Sequence, residues 1–148
     1  MCFFIKQIVM KISIERINDD FLFEAKGATG YPIRVDNSDD GKPQGASPME
    51  LMLSSVACCS AIDVVFILNK QRQQIDSFRI EAEARRKEVK QSRPFEAMHL
   101  TLYLDGAIDP KKARRAAELS FEKYCSASIT LQNSVDISFK VVVNGTEV

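Results

Sequence analysis

One stretch of the chain constrains its fold more than any other. Ser47-Pro48-Met49-Glu50 leads into residues 51–68, an 18-residue run interrupted only by Ser54, Ser55, Ser60, the cysteines Cys58 and Cys59, and Asp63. Ser at the N-cap, Pro at the first helical position and Glu three residues after the Ser make a capping box, so a helix starts here. A membrane span needs about 20 apolar residues without an acid near the centre. Asp63 and the serines argue against one. A helix apolar on all sides is otherwise a buried helix. A chain of 148 residues has little else with which to surround it, and a second copy of the chain is the expected cover. A homodimer follows as the expectation.

The flanking segments read mainly as strands. Residues 11–17 and 21–25 alternate apolar and polar side chains around the turn Asn18-Asp19-Asp20, and 31–35 follows the Gly27–Gly30 turn as a third strand. Residues 37–46, dense in Asp, Gly and Pro, form a loop. After 69–74 the period becomes two, with Phe78, Ile80, Ala82 and Ala84 on one face and Arg79, Glu81, Glu83 and Arg85 on the other. Met98, Leu100, Leu102 and Leu104 mark the next strand. Asp109-Pro110 caps a second helix running to about Tyr124 with Ala113, Ala116, Ala117 and Leu119 as its stripe, and 135–143 is a final strand. The order βββ-α-ββ-α-β predicts an α+β fold of largely antiparallel sheet around long buried helices. Residues 1–10 read as an N-terminal extension and 11–148 as one domain.

Composition excludes several classes. Twenty Lys+Arg balance twenty Asp+Glu, which removes the electrostatic case for a nucleic-acid partner. The basic runs Arg85-Arg86-Lys87 and Lys111-Lys112 with Arg114-Arg115 alternate with acids, as solvated faces do. The first ten residues lack a secretory signal's apolar core and cleavage site, so a cytoplasmic protein without a membrane partner is expected. Cys2, Cys58, Cys59 and Cys125 lack zinc-finger or thioredoxin spacing. In a reducing compartment any disulfide among them is transient and catalytic.

Cys59 lies within the apolar helix and Cys125 lies 66 positions later, after the second helix. Two such thiols act as attacker and resolver when the fold brings them together. They serve equally as small core hydrophobes. Asp63, one turn after Cys59, orients a site group or pairs within a core. His99, the one histidine, shares a strand face with Ala97, Thr101 and Tyr103, away from Met98 and Leu100. A zinc site from His99, Cys59 and Cys125 has no ligand-pair spacing to support it, and no metal is expected.

The segments Gly45-Ala46-Ser47-Pro48-Met49-Glu50-Leu51 through Ala57-Cys58-Cys59, and Tyr124-Cys125-Ser126-Ala127-Ser128, together resemble the OsmC/Ohr family (osmotically inducible protein C and organic hydroperoxide resistance protein). In that family a helix opening on a proline carries the peroxidatic cysteine eleven residues later, which here is Cys59 counted from Pro48. The second family cysteine, in a Cys-Pro/Ser-x-Ser context, matches Cys125-Ser126-Ala127-Ser128. The resemblance implies an OsmC-like, intertwined homodimer and a thiol-dependent peroxidase active in oxidative stress. Cys59 would reduce an organic hydroperoxide, Cys125 would resolve its sulfenic acid, and an external dithiol would restore both, with no cofactor. In the peroxidase branches a Glu directly follows the proline and holds an Arg against the thiol. Here that position is Met49 and the acid is Glu50, which the capping box explains equally well. Arg34 is the candidate cation, and a solvated strand residue is the alternative. This Ser-Pro-Met-Glu pattern resembles the YhfA-like branch. The alternative function is a non-catalytic dimer that binds a small apolar or thiol-reactive ligand near Cys59.

Overall fold

A computed structural model describes residues 9–148. Most of the expected extension at 1–10, with Cys2, lies outside the described residues, while Val9 and Met10 are exposed and outside regular structure. The chain divides into two compact units that meet at Leu51 and Met52.

The first unit is a three-stranded antiparallel meander, β1 (Ser13–Arg16), β2 (Phe23–Lys26) and β3 (Pro32–Val35). The strands are shorter than the alternation predicts because both turns draw in flanking residues. Asn18 Oδ1 accepts the Asp20 and Leu22 amides at 3.0 and 3.1 Å and closes the first turn before Phe23. The loop after β3 is organised by buried Asp36, whose carboxylate accepts the Ser38 and Gln44 amides, each at 2.9 Å. Those bonds, led by Gln44, hold the Asp36 carboxyl below its ordinary range. Gly45 returns so close to the backbone of Arg34 that a Cβ would lie 2.6 Å from its carbonyl carbon, so any larger residue would displace the loop.

Helix α1 (Pro48–Lys70) begins as expected. Glu50 N donates to Ser47 Oγ at 3.2 Å and Glu50 Oε2 accepts from Ser47 N at 2.7 Å, the reciprocal pair of a capping box. Within one chain the helix is not buried all round. Val56, Ser60, Val64 and Leu68 form a buried stripe at spacings of four, whereas Ile62 is 69% and Phe66 59% exposed.

The rest of the second unit is a four-stranded sheet in the order β4 (Gln74–Arg86), β5 (Phe95–Ala107), β6 (Asp136–Val143), β7 (Thr146–Glu147). β4 and β5 form a long antiparallel hairpin, with Ile80 opposite Leu102 and Ala82 opposite Leu100. β6 runs parallel to β5, with Leu102 opposite Val141, because a helical crossover joins them. That crossover contains α2 (Pro110–Leu119), a π-helical turn (Ser120–Tyr124) and the short α3 (Ser126–Leu131). The single second helix expected to about Tyr124 is therefore α2 plus the π turn, and neither α3 nor β7 was anticipated. Met98, Leu100, Leu102, Leu104, Val141 and Val143 make the buried face of the sheet, and Ala113, Ala116 and Ala117 are the buried stripe of α2. Small side chains on that stripe let α2 approach β6 closely.

Candidate functional site

The site lies in the second unit, where α1 meets the crossover. Cys59 and Asp63 are four residues apart on α1, so their side chains rise from one face. Cys125 is brought to them by the π turn. The Cys125 amide donates to the Ser120 carbonyl at 2.7 Å, the wide i→i−5 bond of a π-helix. Cys125 then takes extended angles, φ −72° and ψ 98°, and becomes the N-cap of α3. The other end of the turn is tied to α1, since Ser120 Oγ donates to Asp63 Oδ2 at 2.9 Å.

The two sulfurs and a carboxylate oxygen of Asp63 all lie within 4.8 Å of one another. Cys59 is half-buried, Cys125 wholly buried, and both are reduced. The Cys125 sulfur accepts the Ser128 amide at 3.4 Å and donates its proton to the Val56 carbonyl at 3.9 Å. Burial pushes the Cys125 thiol above its ordinary range, with the neighbouring Cys59 adding to the rise and the Ser128 bonds opposing it. Cys125 therefore holds its proton more firmly than an exposed thiol does. Beside the cluster, Asp63, Phe66, Ile67 and Lys70 of α1 face Leu119 and Tyr124 across a cleft of about 580 Å³. Its walls are mostly apolar, and Asp63 is the member of the cluster that lines it.

Glu50 is engaged in the capping box, and the Ser47 amide, followed by the Ser47 hydroxyl, holds its carboxyl below the usual range. Arg34 lies on β3 with its side chain half-exposed, 3.8 Å from the Glu24 carboxylate. Cys58, the neighbour of Cys59, is exposed beside a second cleft of about 440 Å³, where Leu53, Ala57 and Ala61 face Phe78, Ile80 and Ala82. His99 Nδ1 is paired with Ser138 Oγ at 2.8 Å and takes no part in the thiol cluster. Sequence reasoning weighed Asp63 without assigning it to the site and overlooked Ser120. The available signal was an acid one turn from a cysteine on an otherwise apolar helix. Ser120 gave no signal of its own, because its role depends on the π turn.

Residues 40–140 match the family model described as OsmC-like protein. The chain belongs to the OsmC-like family. It is 40% identical over 124 residues to protein YhfA of Escherichia coli (strain K12), an alignment covering 81% of this chain and 90% of that one. A crystal structure of a hypothetical protein from Aquifex aeolicus VF5 superposes with a TM-score of 0.79 at 29% identity, over 93% of this chain and 99% of that one. An organic hydroperoxide resistance protein from Elizabethkingia anophelis shares the fold at a TM-score of 0.68 and 12% identity, with 95% of this chain and 100% of that chain covered. The two cysteines whose spacing suggested the family are the two that the fold brings together.

Proposed function

We propose that this protein is a cysteine-based reductase of organic hydroperoxides in which Cys59 reacts and Cys125 resolves. The observation that carries the reading is the approach of two reduced sulfurs, 66 positions apart in the chain, to within 4.8 Å beside a largely apolar cleft. The name of the Elizabethkingia relative, organic hydroperoxide resistance protein, agrees in substrate class.

In the first step the Cys59 thiolate attacks the outer oxygen of ROOH. An S–O bond forms as the O–O bond breaks, and the leaving alkoxide takes up a proton to give ROH and Cys59 sulfenic acid. Cys125 then attacks the oxidised sulfur. The S–S bond forms, the S–O bond breaks, and hydroxide leaves with the thiol proton as water. A dithiol reductant regenerates both thiols by exchange. Closing the disulfide from a separation of several ångströms to about 2.05 Å needs side-chain rotation at the N-cap of α3. The high proton affinity of Cys125 keeps it from competing for peroxide and makes resolution faster as pH rises. The alkyl part of the substrate gains about 25 cal/mol per Å² buried in the cleft, which favours an organic hydroperoxide over hydrogen peroxide.

The same reading makes the active form a homodimer, with Met52, Ile62 and Phe66 of α1 covered by the partner, and it requires a thiol-reducing compartment such as the cytoplasm. The test is turnover of cumene hydroperoxide with a dithiol. Wild type is expected to exceed Cys59→Ser by about 10³-fold or more. Equal rates would overturn the proposal. Cys59→Ser protein that co-purifies with a small apolar molecule would instead support a binding role.

A further inference from the structure

The redox reading leaves one member of the cluster unused. Asp63 has a carboxylate oxygen within 4.8 Å of both sulfurs and takes no part in the thiol chemistry. Its position is nonetheless well fixed, since Ser120 Oγ holds Oδ2 at 2.9 Å from the far side of the π turn. A cation bound among the three groups would give that carboxylate a task.

We propose that reduced Cys59, Asp63 and Cys125 form a binding site for one Zn²⁺ ion, independent of whether the protein reduces peroxides. Cys59 and Asp63 at i and i+4 converge from one helix face, a common way for a helix to supply two ligands, and Cys125 supplies the third from a different element. Their donor atoms lie within 4.8 Å of one another. Tetrahedral Zn²⁺, with Zn–S near 2.3 Å and Zn–O near 2.1 Å, needs donors about 3.5–3.8 Å apart, so small side-chain rotations complete the site. Sulfur donors select Zn²⁺ over Mg²⁺ or Ca²⁺. The surroundings also suit a metal centre. The Ser128 amide points at the Cys125 sulfur at 3.4 Å, and Ser120 orients the carboxylate, the roles that outer groups play around zinc. Binding replaces two S–H protons, which pass to solvent, and leaves a fourth position for water. Zn²⁺ and the Cys59–Cys125 disulfide exclude one another, because the disulfide consumes both thiolates.

Anaerobic titration of the reduced, full-length protein with Co²⁺ provides the test. One equivalent should produce a near-ultraviolet thiolate-to-cobalt charge-transfer band and the visible bands of tetrahedral cobalt, and Zn²⁺ should displace both. Zn²⁺ should also shield Cys59 and Cys125 from alkylation while Cys58 still reacts. Asp63→Asn should weaken Zn²⁺ affinity at least as much as loss of an outer-shell partner does elsewhere, about 10- to 100-fold. Cys58→Ser should leave the spectrum unchanged. Absence of the charge-transfer band in reduced wild type overturns the proposal, as does a band that persists when Cys59 and Cys125 are both serine. These outcomes do not depend on hydroperoxide turnover, so the failure of either proposal leaves the other standing.

Discussion

The residues singled out for chemistry are used differently in the two units of the molecule. In the second unit Cys59 and Cys125 meet across 66 positions of chain, with Asp63 and Ser120 bonded beside them. In the first unit Arg34 and Glu50 are occupied close to home, one by Glu24 on the neighbouring strand and the other by Ser47 three residues away. A charged side chain on a short strand or a helix end finds a local partner at little entropic cost. Two apolar-tolerant thiols are held together only when the tertiary fold does it. The contrast therefore separates residues whose placement depends on the whole crossover from residues whose placement depends on a turn.

Each side of that contrast can be attacked by substitution. After Cys59→Ser, Cys125→Ser should have the largest effect. Steady turnover falls by about 10²-fold or more while the first peroxide equivalent is still consumed, leaving a Cys59 sulfenic acid that dimedone traps. Intact turnover in this variant would break the long-range half of the comparison. Ser120→Ala leaves Asp63 Oδ2 without its donor and loosens the π turn. A loss of about 1–3 kcal/mol in urea unfolding is expected, with slower disulfide closure.

On the local side, Ser47→Ala should cost about 1 kcal/mol by the same measurement and leave the cysteines' reactivity alone. The Glu50 carboxyl titrates below its unfolded value, so its contribution is present above pH 4.5 and is lost as pH falls through its folded pKa. Glu50→Gln should remove that acid-side slope. Arg34→Ala should have the smallest effect, under about 1 kcal/mol, because it breaks only a half-exposed pair of 3.8 Å. A fall in turnover at an unchanged unfolding midpoint would instead bring Arg34 into the site and sharpen the comparison.

Much of the fold was legible because it rests on local rules. The capping box set the start of α1, and the period-two alternation at Phe78, Ile80 and Ala82 marked β4. What stayed hidden is non-local. The parallel pairing of β5 with β6 depends on where the crossover sets the chain down, and periodicity is the same in either direction. The π turn at Ser120–Tyr124 differs from an α-helix by one extra residue in the ring, a choice made by Asp63 and the core rather than by local propensity. Composition could not reveal which residues of α1 the chain itself covers, with Ile62 and Phe66 left exposed, because apolar content alone does not say which side of the helix packs inward.

The site was partly legible. Spacing from Pro48 and the Cys-Ser-x-Ser context singled out the two thiols, but Asp63 gains its place only when Ser120 and Cys125 are folded against α1.

The central claim is tested most directly by adding one equivalent of cumene hydroperoxide to the reduced protein, alkylating, and mapping the cysteines by mass spectrometry. The account predicts an intramolecular Cys59–Cys125 disulfide with Cys58 still open to alkylation. Recovery of Cys59 as a free thiol, or its pairing with Cys58, would contradict it.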